Sequence, residues 1–186
     1  FRNFYNGKLF SDKEKSLKLQ TSSEFQPYFV FSITHSEELG NSGNADDFNL
    51  NCSIYNPIEA TELCKFCLFL VKDRKSKLSI GIITPYQRQL QHVREKLQEM
   101  SINSVECGTV DSFQGREKDI ILFSSVRSNN ANKTPQIGFL SHRQRLNVSL
   151  TRARLAFYIF CNADLLSKTN KDWNFCIEDA KNRKLF

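Results

Sequence analysis

The chain has 186 residues, a net charge of +6 from 26 Lys and Arg against 20 Asp and Glu, and 40% hydrophobic residues. At roughly 150 residues per domain, one domain is the expected content. Its 16 Phe residues, together with many Leu and Ile, supply enough apolar surface to exclude a disordered chain. No apolar stretch reaches the roughly 18–20 residues of a membrane span, so we expect no membrane partner. The basic balance favours nucleic acid or another anionic partner.

In the first third of the chain, the pattern predicts a strand and a helix with polar loops before each. Residues 1–10 are typical of a helix end closed by Gly7, and residues 11–27 of a loop. Residues 28–33 form a strand by their aromatic and β-branched content, and residues 36–51 a mobile surface loop. A helix then begins with Asn56 as N-cap, Pro57 as first residue and Glu59 completing a capping box.

The rest of the chain alternates strands and helices. Strands are predicted over residues 78–83, 105–110, 120–126 and 155–161. One helix is predicted to begin with Thr84 as cap and Pro85 as first residue, and it carries Leu90, Val93, Leu97 and Met100 on one face. Three more helices are predicted over residues 142–151, 162–166 and 172–181. Strands that are apolar throughout and alternate with helices indicate an α/β fold with a mainly parallel sheet covered on both faces.

Six cysteines raise the question of a metal site or disulfides. Cys64 and Cys67 form a C-x-x-C pair, but no second pair or finger-spaced His residues accompany it, so we expect no metal. Both lie in an apolar helical run, which favours core cysteines in a reducing compartment.

Polar residues are concentrated just after the predicted strands. In an open parallel sheet, ligands bind beyond the carboxyl ends of the strands. We therefore expect a ligand beyond the strand ends, beside the following residues: Thr84, Tyr86 and Gln87; Thr109, Asp111, Ser112, Gln114, Gly115 and Glu117; Arg127 and Ser128.

The segment TVDSFQGREKD, which begins at Thr109, has two interpretations. A one-turn helix capped by Asp111 and stopped by Gly115 explains those two residues without any function. It does not explain Ser112 and Glu117 beside Thr109, since hydroxyls donate to phosphate oxygens and a carboxylate accepts from ribose hydroxyls. From the residues alone, both interpretations stay open.

Four Arg residues lie within twelve positions near the end of the chain: Arg143, Arg145, Arg152 and Arg154. A solvated basic helix face is the usual explanation of such a run. Because Arg is permanently charged and pairs bidentately with phosphate, an anion site is the alternative. The residues alone do not say which anion.

Three segments, in order and spacing, resemble motifs IV, V and VI of superfamily-1 helicases of the Upf/senataxin type. They are GIITPY from Gly81, TVDSFQGREKD from Thr109 and RLNVSLTRAR from Arg145. The connecting segments SVRSN and IGFL are also similar to this group. Within the group, the Gly-Phe-Leu segment and the late Trp173 are most similar to senataxin-type members.

This resemblance covers nearly the whole chain and implies a RecA-like three-layer α/β/α fold. Family members have two such domains, with ATP and Mg²⁺ between them and single-stranded RNA or DNA across both. Residues 1–186 resemble the second, C-terminal domain. The chain has no G-x-x-x-x-G-K-[ST] phosphate loop and does not begin with Met, so we expect a longer protein whose first domain is its partner. The chain alone is expected to be monomeric and unable to hydrolyse ATP.

For ATP, the resemblance implies contacts from Gly115, Glu117 and Arg152. Arg152 is similar to the arginine finger of motif VI, which stabilises transition-state charge at the γ-phosphate. Glu117 is similar to a residue that contacts the ribose, and Gly115 lets backbone amides approach a phosphate. Arg154 is the second choice for the finger, because the family often has lysine at that position.

For nucleic acid, the resemblance implies contacts to the strand backbone and a coupling of the two sites. The implied nucleic-acid contacts are Thr84, Tyr86, Thr109 and Ser112, and the implied coupling residues are Asp111, Gln114, Arg127 and Arg145. Backbone contacts predict salt-sensitive binding with weak sequence preference, and the family resemblance implies movement from 5′ to 3′.

Two alternatives stay open. One is a nucleic-acid-binding or scaffolding protein that kept the fold and lost hydrolysis. The other is an unrelated doubly wound protein for a small anion, although the chain lacks the glycine-rich loop expected after its first strand. The sequence does not distinguish RNA from DNA. We expect an intracellular protein and favour the nucleus.

Overall fold

A computed structural model describes residues 26, 28–40, 54–72, 78–128 and 137–186. In them, five strands form one sheet in the order β1-β5-β4-β2-β3, and every neighbouring pair is parallel. The strands are β1 (Tyr28–Ser32), β2 (Ile80–Thr84), β3 (Glu106–Thr109), β4 (Lys118–Ser124) and β5 (Ala153–Cys161). The helices are α1 (Pro57–Lys72), α2 (Gln87–Glu99), α3 (Arg143–Leu150), α4 (Ala163–Thr169) and α5 (Lys171–Asn182), with 3₁₀ turns at Asp111–Phe113 and Gly138–Ser141.

The sheet is covered by helices on both faces. Ile121 and Phe123 of β4 pack in one apolar cluster with residues of α3, α4 and α5. The alternating residues Ile120 and Leu122 pack in a second cluster with residues of α1 and α2. Since successive side chains of a strand point to opposite faces, the two clusters define three layers. The predicted RecA-like α/β/α fold with a parallel sheet is confirmed.

The five predicted strands are all present, with ends shifted by no more than two residues. The three helices predicted after residue 140 correspond to α3, α4 and α5. The helix end closed by Gly7 and nearly all of the loop predicted over residues 11–27 lie outside the described residues.

The start of α2 differs from the prediction. Thr84 does not cap the helix, because it is the fully buried last residue of β2 and pairs with Thr109 of β3. Pro85 lies before the helix, and Tyr86 is the N-cap residue. Strand pairing here outweighs the local capping preference of Thr. The predicted apolar face is confirmed, with Leu90, Val93 and Leu97 buried and Met100 partly buried at the C-cap.

The start of α1 confirms one half of the predicted capping box. Asn56 Oδ1 accepts a hydrogen bond from the Glu59 N–H at 3.0 Å, as an N-cap should. The Asn56 N–H, however, donates to Gln89 Oε1 of α2 at 2.8 Å. Glu59 therefore does not close the box, and its side chain points into the protein, where it is fully buried.

A buried polar network joins α1, α2 and the end of β4. Glu59 Oε1 accepts from Ser124 Oγ at 2.6 Å and from the Val126 N–H at 2.8 Å, and Gln89 Nε2 donates to Ser124 Oγ at 2.9 Å. Burial raises the pKa of Glu59 from about 4.5 to about 7, although the hydrogen bonds from Ser124 and Val126 oppose this shift. The network fixes three elements at the carboxyl end of the sheet.

The predicted surface loop over residues 36–51 begins with anchored residues. Ser36 is buried and its Oγ accepts from Asn56 Nδ2 at 2.9 Å. Leu39 and Tyr55 exchange two backbone hydrogen bonds in an isolated antiparallel bridge. Residues 36–40 are thus tied to the domain by hydrogen bonds, and residues 41–51 of the predicted loop lie outside the described residues.

The Gly138–Ser141 turn is held by the only Trp of the chain. Trp173 of α5 is buried, and its indole Nε1–H donates to the Leu140 carbonyl at 3.0 Å. Its ring also stacks on Phe123, with 6.1 Å between the ring centroids. The Gly-Phe-Leu segment and the late Trp are thus parts of one packing unit.

The connection from β3 to β4 crosses the face of β2 and depends on two glycines. Phe113 is buried on the sheet with α3, α4 and α5. A Cβ at Gly81 would lie 3.0 Å from the Phe113 ring, and a Cβ at Gly108 would lie 2.8 Å from it and overlap Ser112 Oγ. These distances are shorter than ordinary Cβ contacts, so the ring fits against β2 and β3 only because both strands lack a side chain there.

Cys64 and Cys67 are fully buried in the second apolar cluster, which confirms their prediction as core residues. Burial raises the pKa of each thiol to about 12. Within the described part of the chain, His, Cys, Asp and Glu side chains form no group of three placed to hold a metal ion. None of the helices in that part has the length and apolar character of a membrane span.

The raised pKa of Glu59 predicts a specific pH dependence of stability. The folded protein binds this proton more tightly than the unfolded chain, so the favourable contribution is full below about pH 4.5 and is lost as the pH rises to about 7. The loss is on the order of 3 kcal/mol. Thermal midpoints measured between pH 5 and pH 8 should therefore fall more for the native protein than for Glu59→Gln. The matched control is Glu62→Gln on the surface of α1, which should follow the native curve; equal slopes for all three proteins would contradict the assignment.

Gly108→Ala should destabilise the fold by roughly 1–3 kcal/mol, the usual cost of overpacking. The added methyl group would overlap Ser112 and press on the Phe113 ring. Chemical denaturation is the measurement. The double variant Gly108→Ala with Ser112→Ala should recover part of the loss, because one of the two overlaps is removed. A Gly108→Ala protein as stable as the native one would show that Phe113 is not packed as described.

Candidate functional site

The carboxyl ends of β2 and β3 bring two predicted site residues together. Thr84 and Thr109 are a register pair on these neighbouring strands. Thr84 is fully buried, and its hydroxyl has no hydrogen-bond partner among the described residues. Thr109 is half-buried and contacts Ser112, whose Oγ donates to the Thr109 carbonyl at 2.9 Å. Ser112 is exposed, so Thr109 and Ser112 are the accessible members of this group.

The carboxyl end of β4 carries Arg127, which is almost fully buried. Its Nη1 forms an ion pair with Glu38 Oε1 at 2.9 Å, and its Cζ lies 5.9 Å from the centroid of the Tyr86 ring. Burial raises the pKa of Tyr86 to about 12, while the charge of Arg127 opposes the shift. The Tyr86 hydroxyl is buried, and the Arg127 guanidinium is its hydrogen-bonding neighbour. Ser128 also holds Glu38, through its N–H at 3.2 Å and its Oγ, which accepts the Glu38 N–H at 2.6 Å.

After the 3₁₀ turn, the chain returns to the opposite end of the sheet. Gly115 has a φ of +79°, in the left-handed region that favours glycine, and nothing would contact a Cβ there. Arg116 and Lys118 then pair with Glu106 at the start of β3, with Lys118 Nζ 2.6 Å from Glu106 Oε2. These hydrogen bonds, first from Lys118 and then from Arg116, hold the pKa of Glu106 below its ordinary value. Glu117, exposed between the two cations, thus lies at the amino end of β4.

Arg152 lies at the same amino end, between α3 and β5. Its carbonyl accepts the Lys118 N–H at 3.0 Å, which ties it to the start of β4. Its guanidinium donates to the Val148 carbonyl at 3.0 Å, to Thr151 Oγ1 at 2.9 Å and, at the long limit of 3.5 Å, to the Arg116 carbonyl. Within the described residues no carboxylate lies at salt-bridge distance, so the charge of Arg152 is not neutralised.

Arg154 has a different environment. It pairs with Asp119 Oδ1 at 3.1 Å and donates to Ser79 Oγ at 3.3 Å. Partial burial would raise the pKa of Asp119, but hydrogen bonds from Ser79 and the charge of Arg154 together lower it. Of the two candidate finger residues, Arg154 is thus paired with a carboxylate, whereas Arg152 has no carboxylate partner among the described residues.

The other predicted coupling residues lie around the crossover and α3. Asp111 and Gln114 are exposed on residues 110–117, and the Gln114 N–H donates to the Asp111 carbonyl at 3.2 Å. Arg145 lies in the first turn of α3, with its Cζ 4.6 Å from the centroid of the Phe139 ring. The structure thus connects Arg145 to the Gly138–Ser141 turn, and this turn lies beside Arg127 and Tyr86 at the carboxyl ends of the strands.

The expectation that Glu117 lies beyond the carboxyl ends of the strands, with the other polar residues, is wrong. Thr84, Tyr86, Thr109, Ser112 and Arg127 lie at the carboxyl ends of the strands. Glu117 and Arg152 directly precede β4 and β5 and so lie at the amino ends. The sequence pattern could not reveal the separation of these residues between the two ends of the sheet. A residue several positions after one strand can also lie directly before the next strand.

Sequence reasoning also missed two acidic residues near the carboxyl edge. Glu59 was interpreted only as part of a capping box, and Glu38 only as part of a loop. In the structure, Glu59 binds the end of β4 and Glu38 binds Arg127. No local signal identified either role, because both partners are at least 60 residues away in the chain.

Comparison with known proteins identifies the family of the chain. A family model described as AAA domain matches residues 1–164. Regulator of nonsense transcripts 1 of Dictyostelium discoideum is 37% identical over 192 residues, covering 97% of this chain and 14% of that protein. Probable helicase senataxin of Homo sapiens is 32% identical over 185 residues, covering 96% of this chain and 6% of that protein. Helicase sen1 of Schizosaccharomyces pombe is 34% identical over 195 residues, covering 99% of this chain and 11% of that protein.

The chain therefore spans between 6% and 14% of the length of these three relatives. The similarity runs through both edges of the sheet described above. Together with the parallel three-layer fold, it shows that the chain belongs to the AAA domain family, as a superfamily-1 helicase domain of the Upf/senataxin type.

Proposed function

We propose that the chain is the second motor domain of an ATP-dependent helicase that moves 5′ to 3′ along single-stranded RNA or DNA. The observation that carries this proposal is the environment of Arg152. Its guanidinium has no carboxylate partner in the described part of the chain and lies against the main chain of residue 116, beside Gly115 and Glu117. A cation held this way is available to an anion that arrives from outside the domain.

The amino edge would be the ATP edge. Arg152 would contact the γ-phosphate, where its permanent charge stabilises the charge that develops during phosphoryl transfer. Glu117 is exposed and would accept hydrogen bonds from the ribose, and the left-handed Gly115 leaves open space for a phosphate. The chain lacks a phosphate loop, so ATP and Mg²⁺ would be held mostly by the first motor domain of the same protein. The isolated chain would not hydrolyse ATP.

The carboxyl edge would be the nucleic-acid edge. Ser112 and Thr109 present hydroxyl and backbone groups of the kind that contact phosphate oxygens without reading the bases. The buried hydroxyl of Thr84 has no partner in the described residues, and an unpaired buried donor of this kind is rare unless a ligand or water satisfies it. Thr84 is enclosed in this arrangement, so direct contacts would come first from Thr109 and Ser112.

Residues 110–117 would couple the two edges, because this segment runs directly from the end of β3 to the start of β4. Asp111 and Gln114 lie on it, and Phe113 fixes its middle against Gly81 and Gly108. A shift of the amino edge on ATP binding would pivot the segment about Phe113 and move Ser112. Arg127 and Arg145 would act on Tyr86 and Phe139, whose rings they contact.

In the full-length protein, Arg152→Ala should lower the kcat of ATP hydrolysis on the order of 10³-fold or more, as expected for an arginine finger. The variant loses the hydrogen bonds of Arg152 to the end of α3, so the free energy of unfolding should fall by only about 1 kcal/mol, with a correspondingly small fall in the thermal midpoint. Arg152→Lys should recover little activity, since a lysine does not reproduce the planar fork. Steady-state phosphate release in the presence of single-stranded RNA is the measurement.

Arg154→Ala is the matched control. It removes a cation at the same edge, but one that pairs with Asp119 and is half-exposed, so the cost should be at most about 1 kcal/mol of stability with turnover retained. Near-normal turnover in Arg152→Ala, together with loss of turnover in Arg154→Ala, would move the finger to Arg154. Normal turnover in both variants would reject the ATP edge.

A further inference from the structure

Val126 has an unusual backbone conformation for its residue type. Its φ is +70°, and it is fully buried just beyond the end of β4. For a β-branched residue, the left-handed region is strained and persists only where the surrounding structure imposes it. The strained backbone of Val126 thus lies between the end of β4 and Arg127, which is the next residue.

Two side chains at the start of α1, those of the N-cap residue Asn56 and of Glu59, hold this turn. Glu59 Oε1 accepts the Val126 N–H at 2.8 Å, and Asn56 Nδ2 donates to the Val126 carbonyl at 3.1 Å. Both polar groups of the strained residue are therefore paired, although neither partner belongs to the sheet. Before the turn, the Ser125 N–H still donates to the Phe160 carbonyl of β5 at 3.0 Å. The chain thus leaves the sheet at Val126.

The turn determines where Arg127 points. Beyond Val126, the guanidinium reaches Glu38 at 2.9 Å and lies 5.9 Å from the centroid of the Tyr86 ring. It also lies beside Gly138, where a Cβ would be 3.2 Å from Nη2. There is little free space in which the guanidinium could readjust. A rotation of the peptide before Arg127 would therefore move the guanidinium away from the Tyr86 ring.

The buried position of Glu59 lowers the stability of the fold. A fully buried carboxyl group costs folding free energy unless a cation or several donors compensate. No described cation lies at salt-bridge distance, so the compensation comes from hydrogen-bond donors alone. Ser124 and Val126 provide the donors to Oε1, Ser125 adds hydrogen bonds to the carboxyl group, and the Cys161 thiol of β5 is a titratable neighbour. A cost of this kind is typical of residues that hold a functional geometry.

We propose that Glu59 is a positioning residue for the nucleic-acid edge: its carboxyl group holds the left-handed turn at Val126, and this turn directs Arg127 onto Tyr86. The inference rests on the proposed function, since it assumes that Tyr86 belongs to the nucleic-acid edge. Without Glu59, Val126 returns to a negative φ, the peptide before Arg127 rotates, and Tyr86 loses its cationic neighbour.

The test is the affinity of the full-length protein for a fluorescein-labelled oligouridylate, measured by anisotropy. Glu59→Ala should weaken binding by roughly tenfold. Glu59→Gln retains an acceptor oxygen at the same position and should bind close to normally. This variant also keeps the test decisive if Glu59→Ala does not fold, because a Glu59→Gln protein that has lost affinity would overturn the proposal.

Substitutions at Val126 separate positioning from packing. Glycine adopts a φ of +70° without strain, whereas alanine does not. In the Glu59→Ala background, Val126→Gly should therefore restore affinity, while Val126→Ala should not, although both remove most of the same buried side chain. Equal affinities for the Gly and Ala double variants would show that Glu59 acts only through packing, and would overturn the proposal. Unchanged binding in Glu59→Ala would overturn it as well.

A separate variant distinguishes failure of the inference from failure of the proposed function. Tyr86→Ala should weaken oligouridylate binding if the carboxyl edge is the nucleic-acid edge. Loss of affinity in Tyr86→Ala without loss in Glu59→Ala rejects the role of Glu59 alone. Unchanged affinity in Tyr86→Ala rejects the nucleic-acid edge and the inference with it.

Discussion

The connection between β3 and β4 is the constraint on which both edges depend. Residues 110–117 must cross β2 while returning from the carboxyl to the amino end of a parallel sheet. The span is roughly 20 Å along the strands and about 10 Å across them, against a reach of about 30 Å for a fully extended segment of this length. A helical crossover rises only about 1.5 Å per residue and would not fit. The segment therefore lies flat on the sheet, and the ring of Phe113 requires glycine at residues 81 and 108.

This short crossover places two different surfaces under the control of one segment. Its first residues, with Ser112, lie beside Thr109 at the carboxyl edge, and its last residues lie beside Arg152 at the amino edge. No long loop or extra domain separates the two surfaces. The segment is short and Phe113 fixes its middle against the sheet, so it provides a direct physical connection for the proposed coupling between ATP and nucleic acid.

Much of the fold could be predicted from the sequence, because the strands are continuous apolar runs and the helices carry clear apolar faces. The segments of the site were also recognisable, since hydroxyls, glycine and a carboxylate follow Thr109 within nine residues. The division of these residues between two edges could not be predicted, since it depends on how far the crossover returns. The interpretation of Glu59 was incomplete for a related reason: an N3 glutamate predicts a local cap, and only the tertiary structure brings Val126 and Ser124 close enough to bind it.

The central claim is that one sheet separates an ATP edge from a nucleic-acid edge. Hydrogen exchange of the full-length protein, with a non-hydrolysable ATP analogue or with a single-stranded oligonucleotide, tests it most directly. The account predicts that the analogue slows exchange in residues 115–118 and 151–154, and that the oligonucleotide slows exchange in residues 109–113. Protection of residues 109–113 by the analogue alone, or of residues 151–154 by the oligonucleotide alone, would contradict it.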